Sequence, residues 1–429
     1  MKYLSIFLLV CFLFLRTGYT QEEYSFDPSE IEKKALQFGG YVEARPIFSL
    51  LDQDSYFYLL RFYDSTKSKT SSEYNFKALL DLSFEKGIAK AQMRLNTDLS
   101  YLDPDWSHKT SLYEGYLSLK PSLHFQINIG KKRLKWGKGY AWNPVAFIDN
   151  PKNPYDPDLA LEGFTVVSAD YIKSFSGKLK TLTITAVLLP IFEDINSQAG
   201  RLNTLNFGGK VYFLLFDTDI DLLFLSGPGV SSRCGADFSR NIATNFEIHG
   251  EWAYITSYSK KILDEEGIST ETESDCNRYL LGIRFLTKTN TTFFLEYYWN
   301  GRGYTREDME NYYGAIDRAY EMFLETGDEN ELRQTSSLTE FHTFTPAKNY
   351  LYLRISQKEP FDILYFTPSL TSICNLKDGS FSLVPELLYA PVTNLELRAR
   401  AMFLVGKKGT EFGEKQNDFR LELRFRYYF

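Results

Sequence analysis

The chain has 429 residues, a net charge of −7 and 44% hydrophobic residues, and its aromatic load of 35 Phe, 30 Tyr and 5 Trp is high. That apolar content excludes a disordered chain, and an acidic balance without a Lys/Arg block excludes the basic face of a nucleic-acid binder. A helical membrane bundle is excluded too, because each span needs about 20 apolar residues and only the N-terminus carries a long apolar run.

Lys2, the apolar residues 4–15 and the small Gly18 and Thr20 before Gln21 read as a secretory signal spanning residues 1–20. Cys11 lies inside the apolar run, followed by Phe-Leu-Phe-Leu, which does not fit a lipidated cysteine. Cys234, Cys276 and Cys374 are an odd, scattered set that defines no disulfide framework, and their spacing leaves any pairing open. Residues 21–35 form a short periplasmic segment, with a brief helix expected over 27–37.

From residue 36 onward the chain alternates with period two. Strands are expected at 36–46, 74–84, 88–99, 111–119, 122–132, 162–174, 179–189, 204–215 and 218–226. They continue at 233–243, 245–257, 277–286, 291–301, 348–357, 362–374, 380–390, 394–404 and 418–429. In one, Phe246, Ile248, Trp252 and Tyr254 oppose Glu247, His249 and Glu251; in another, Phe293, Leu295, Tyr297 and Trp299 oppose Thr292, Glu296 and Asn300. The last sets Phe419, Leu421, Leu423, Phe425, Tyr427 and Phe429 against Arg420, Glu422, Arg424 and Arg426. Segments of about ten residues with aromatics toward their ends suit strands tilted across a bilayer. Short turns, such as residues 85–87 and 120–121, alternate with connections of up to about 45 residues, as in an outer-membrane barrel. The expected fold over 36–429 is all-β, a closed antiparallel transmembrane β-barrel of about eighteen strands, or sixteen if the weakly patterned 233–243 and 362–374 are not strands. One helix is expected in a long outer loop.

With its terminal Phe429 and the aromatic Tyr427 and Phe425, the sequence resembles a bacterial outer-membrane β-barrel of the porin-like class. Its length and strand count are similar to those of the eighteen-stranded substrate-selective porins, although no motif marks a subfamily. The resemblance implies outer-membrane lipid around the barrel and insertion by the barrel-assembly machinery, which reads the strand ending at Phe429.

In a closed barrel the last strand pairs with the first, so Arg45, Arg398, Arg400, Arg420, Arg424 and Arg426, with Glu43, Glu396 and Glu422, fall on one inward wall. Asp219, Asp221, Asp237, Glu247 and Glu251 fall on the opposite one. At one height the two walls would set up a transverse field that admits anions along the basic side; the alternative is local neutralisation. The third outer connection, 133–161, interleaves Trp136, Tyr140 and Trp142 with Gly137 and Gly139, making it the candidate constriction, with an outer aromatic rim as the alternative. In the connection 302–347, Thr305 and Asp308 form a capping pattern, Met309, Tyr312, Ile316, Tyr320 and Phe323 an apolar stripe, and Gly327 a stop.

No catalytic constellation is expected: His124 and His249 fall on distant strands, His108 and His342 in loops, and no Gly-x-Ser-x-Gly elbow accompanies them. Neither a metal nor a cofactor is expected. The expected function is a channel for passive or weakly selective diffusion of small hydrophilic solutes; the alternative is a conduit or export barrel sheathing partner proteins or a polysaccharide. A homo-oligomer is compatible with this reading.

Overall fold

Strands with one apolar and one polar face leave edges exposed unless the sheet closes on itself. The computed structural model, which describes residues 35–64, 68–102 and 105–429, closes them into one eighteen-stranded barrel. The strands are β1 (Leu36–Leu51), β2 (Thr70–Lys86), β3 (Ala89–Leu102), β4 (Asp105–Ser122), β5 (Phe125–Lys132), β6 (Phe164–Ser174), β7 (Leu179–Ile191), β8 (Thr204–Leu215) and β9 (Thr218–Gly227). They continue as β10 (Val230–Ala243), β11 (Phe246–Leu263), β12 (Ser269–Leu286), β13 (Thr291–Asn300), β14 (Asn349–Gln357), β15 (Phe366–Asn375), β16 (Phe381–Val392), β17 (Leu395–Val405) and β18 (Asn417–Tyr428). Every neighbouring pair is antiparallel. β1 pairs with both β2 and β18, Tyr41 lying opposite Tyr428 and Ile47 opposite Glu422. The expected signal at 1–20 and the N-terminal segment through residue 34 lie outside the described residues. Leu36 and Gln37, expected at the end of a helix, already belong to β1.

The alternation holds as a division between two solvents. On β18 Leu423, Phe425 and Tyr427 face outward and exposed, while Glu422 and Arg424 are buried inside. An apolar outer face and a polar inner one are what a lipid-embedded barrel needs, since each backbone polar group is satisfied between strands. Both weakly patterned strands are present, as β10 and β15. The second starts later than expected because Glu359, Phe361, Asp362 and Tyr365 take positive φ and break the extended backbone before Phe366. The turn expected at Lys120-Pro121 lies inside β4, and the chain reverses at residues 123–124 instead, so His124 sits in a short turn and His108 in a strand.

The long loops gather at one rim. The expected helix is there as α2 (Arg306–Thr326), but it is one of three α-helices among the described residues: α1 (Tyr56–Phe62) lies between β1 and β2, and α3 (Asn330–Ser336) follows α2. The two extra helices have 7 residues each, too few to show an apolar stripe or to stand without tertiary packing. Thr305 and Asp308 make a reciprocal capping box, and Gly327 ends α2 at φ 74°. Met309, Tyr312, Tyr313 and Ile316 bury against α1, with Tyr56 stacked on Tyr313 at 4.9 Å and Tyr312 on Phe341 at 4.1 Å. Thr305→Ala removes one of the two reciprocal cap bonds, worth about 1 kcal/mol. Amide exchange over residues 306–309 should then accelerate about fivefold while the barrel strands keep their protection.

Candidate functional site

The third long loop, residues 133–163, does not stand up from the rim. It leaves β5, crosses the bore as a strap, and returns at β6. Two buried carboxylates on the far wall hold its first turn. Glu251 of β11 accepts the backbone N–H of Lys138 at 2.6 Å, Gly139 at 2.6 Å and Val145 at 3.2 Å, and the Asn143 amide at 3.2 Å. Glu296 of β13 accepts the N–H groups of Tyr140 and Ala141, the latter at 2.9 Å, and faces His249 Nε2 at 2.9 Å. The two glycines make this approach feasible: Gly137 has φ 94°, and a Cβ there would lie 2.8 Å from Glu251 Oε1, while one on Gly139 would lie 2.0 Å from the Trp142 carbonyl oxygen. Lys152 closes the turn by donating to the Gly139 carbonyl at 2.7 Å.

The three candidate aromatics sit on this strap as anchors. Trp136 is buried with Val145, Phe147 and Ile148 against inward apolar residues of β6, β7, β9 and β11. Trp142 stacks on Tyr298 at 5.0 Å, and Tyr140 on Phe294 at 4.3 Å. The polar bore is faced instead by residues further along, Asn153, Tyr155 and Asp156, which line a cavity of about 350 Å³ at the long-loop end together with Arg45, Arg400, Arg420 and Arg424. On the short-turn side, Arg94, Glu114, Lys132, Arg133 and Lys135 line a second cavity of about 600 Å³.

The structure brings together the candidate residues of each wall. On the acidic wall, Glu251 holds the strap, Asp221 pairs with Lys138 at 2.9 Å and Lys210 at 3.6 Å, and Asp237 lies 4.0 Å from Lys138. Glu247 pairs with Arg284 at 3.4 Å, and Asp219 accepts from the Tyr212 hydroxyl. On the basic wall, Asp156 of the strap lies 2.8 Å from Arg424, 3.4 Å from Arg398 and 4.0 Å from Arg400. Burial alone would raise the Asp156 pKa, but the three guanidiniums outweigh it and hold the carboxyl at about 2. Glu386 pairs with Arg400 and Arg354, and Glu43 with Arg426 at 2.6 Å. Most of the charge on both walls is thus neutralised locally, partly by the strap, which offers a lysine to the acidic side and an aspartate to the basic side. Arg45 and Arg420 are the exceptions on the basic wall: Arg45 has no carboxylate partner among the described residues, and Arg420 is only loosely paired with Glu422 at 3.8 Å. No sequence pattern singles out Glu296, Glu386 or Asp156. Glu296 already stood on the inward side of its strand, but no pattern along the chain links it to residue 140.

At the rim, Glu411, in the loop before β18, accepts from the Tyr350 hydroxyl at 2.6 Å and the Asn375 amide at 2.9 Å. Burial raises its pKa to about 7, against the lowering pull of Lys415 and the Tyr350 hydrogen bond. Because the folded loop binds this proton more tightly than the unfolded one, its contribution to loop stability is complete below about pH 4.5 and is lost as pH rises through about 7. Proteolysis of the 406–416 loop should accelerate across that window, and Glu411→Gln should weaken the pH dependence, leaving the part carried by Glu414, whose pKa burial also raises.

Closure, strand number and the internal strap define a β-barrel of the porin-like class. The structure is similar to the crystal structures of OccAB1 from Acinetobacter baumannii, with TM-score 0.55, 10% identity and coverage of 91% of this chain and 96% of that one, and of OpdQ from Pseudomonas aeruginosa, with TM-score 0.51, 11% identity and coverage of 92% and 99%. OccK5 (OpdH) of Pseudomonas aeruginosa is similar at TM-score 0.50 and 12% identity, over 91% and 97% of the two chains. No family model and no curated protein matches the sequence.

Proposed function

We propose that the chain is an outer-membrane channel that lets small hydrophilic solutes diffuse across the barrel, with a preference for anions along the basic wall. The observation that carries this reading is the strap held across a closed, polar-lined barrel with an apolar outer face. Such a strap narrows the bore, and cavities lined in part by charged side chains lie on both of its sides. Arg45 and Arg420 supply the positive potential that local pairing leaves over. The strap also counts against a sheath for a partner protein or a polysaccharide conduit, which would need an unobstructed bore. Planar-bilayer recording of the refolded full chain is the test: stepwise conductance with anion preference is expected, and a barrel that stays closed at every voltage would overturn the proposal.

A further inference from the structure

A second basic group lies on another part of the inner wall and has no role in the reading above. Arg233 of β10 and Cys276 of β12 lie opposite the same residue, Ile255 of β11. Arg278 occupies the next position of β12 on the same face, and Arg302 follows the end of β13. Arg278 and Arg302 lie within electrostatic reach of Arg233, and all three guanidiniums lie within reach of the Cys276 thiol. Two of them are held in place: Arg278 donates to the Tyr298 hydroxyl at 2.7 and 3.0 Å and to the Pro144 carbonyl of the strap at 3.3 Å, and Arg302 lies 4.1 Å over the Tyr258 ring. The buried Nε of Arg233 has no hydrogen-bond partner among the described residues.

Charge balance sets this cluster apart. Arg400, Arg424 and Arg426 on the basic wall each face a carboxylate, whereas none of these three does among the described residues. Asp275, the carboxylate felt by Cys276, is taken by the Tyr254 hydroxyl and the Ser257 N–H. Three like charges held together without a counter-ion repel one another, and an anion would reverse that term. One carboxylate satisfies a single guanidinium fork, whereas a tetrahedral dianion offers enough oxygen lone pairs for several.

We propose that Arg233, Arg278 and Arg302 bind a phosphate-type oxyanion, free or as the phosphoryl group of a small solute, beside the strap. Because Arg278 also donates to the Pro144 carbonyl, the bound anion contacts one of the groups that touch the strap. The site does not depend on whether the barrel conducts, so the test is equilibrium binding. Inorganic phosphate is titrated calorimetrically into the detergent-solubilised full chain at constant chloride, alongside Arg233→Gln, Arg302→Gln and, as control, Arg333→Gln on α3, where Arg333 is paired with Glu329; all variants must retain the heat-modifiable gel shift of a folded barrel. Saturable binding of one phosphate is expected, weakened about tenfold by either of the first two substitutions and unchanged by the third. Absence of saturable binding, or equal weakening by Arg333→Gln, would overturn the site. Glucose 6-phosphate should compete; competition by short-chain phosphatidic acid alone would overturn its assignment to a solute of the bore.

Discussion

Glu251→Ala is expected to release the strap from the far wall and to raise single-channel conductance severalfold. The substitution takes one carboxylate away from three buried or half-buried N–H groups, those of Lys138, Gly139 and Val145. Each orphaned buried donor costs about 1 to 3 kcal/mol, so the loss exceeds what the remaining contacts of that turn can absorb without movement. Glu251→Gln separates charge from geometry. Its carbonyl can still accept from Lys138 and Gly139, but its amide would point a donor at the Val145 N–H, so an intermediate effect is expected. Trypsin supplies an independent readout, because Lys135, Lys138 and Lys152 all lie on the strap. The wild-type chain should resist cleavage there, the Ala variant should be nicked, and the Gln variant should fall between. Unchanged conductance together with unchanged cleavage would show that the apolar anchors around Trp136 and Trp142 hold the strap without the carboxylate.

That dependence on a contact between residues 139 and 251 explains which parts of the molecule the sequence disclosed. Barrel closure, strand number and the inward set of charges follow from period-two alternation, a local property readable along each strand. The helix at Arg306–Thr326 was legible for the same reason, since its cap, stripe and stop all lie within one segment. The strap's path was not. The run around Trp136, Tyr140 and Trp142 signals a structured loop and a candidate constriction, but the three aromatics themselves pack into apolar patches of the wall. Inward Val166, Leu189, Leu225 and Ala253, part of the surface on which Trp136 packs, break the polar pattern expected of a lumen. Those apolar inward positions were the available signal that something inside the barrel covers them. Asp156 carried no comparable mark: its partners come from β17 and β18, more than 240 positions away.

The same geometry predicts that arginines of one wall act differently. Arg45 and Arg420 face the cavity with little or no compensation, so their field reaches a passing ion. At roughly 7 Å in a water-like dielectric one charge is worth about 0.6 kcal/mol, or about threefold in ion occupancy. Replacing both by Gln should therefore lower anion preference close to tenfold while leaving stability nearly unchanged, as measured by reversal potentials in a salt gradient. Arg424 should behave in the opposite way. It is 2% exposed and touches Asp156, Glu422 and Glu43, so Arg424→Gln leaves buried carboxylates short of a counter-ion, at a cost of about 3 to 5 kcal/mol. Denaturation should then move to markedly lower urea, with a smaller change in selectivity. Asp156→Asn completes the set with the opposite sign. It removes the carboxylate that Arg398, Arg400 and Arg424 share, so anion preference should rise. If the Arg45/Arg420 double substitution left selectivity unchanged and Arg424→Gln altered it strongly, the paired arginines and not the exposed ones would govern passage.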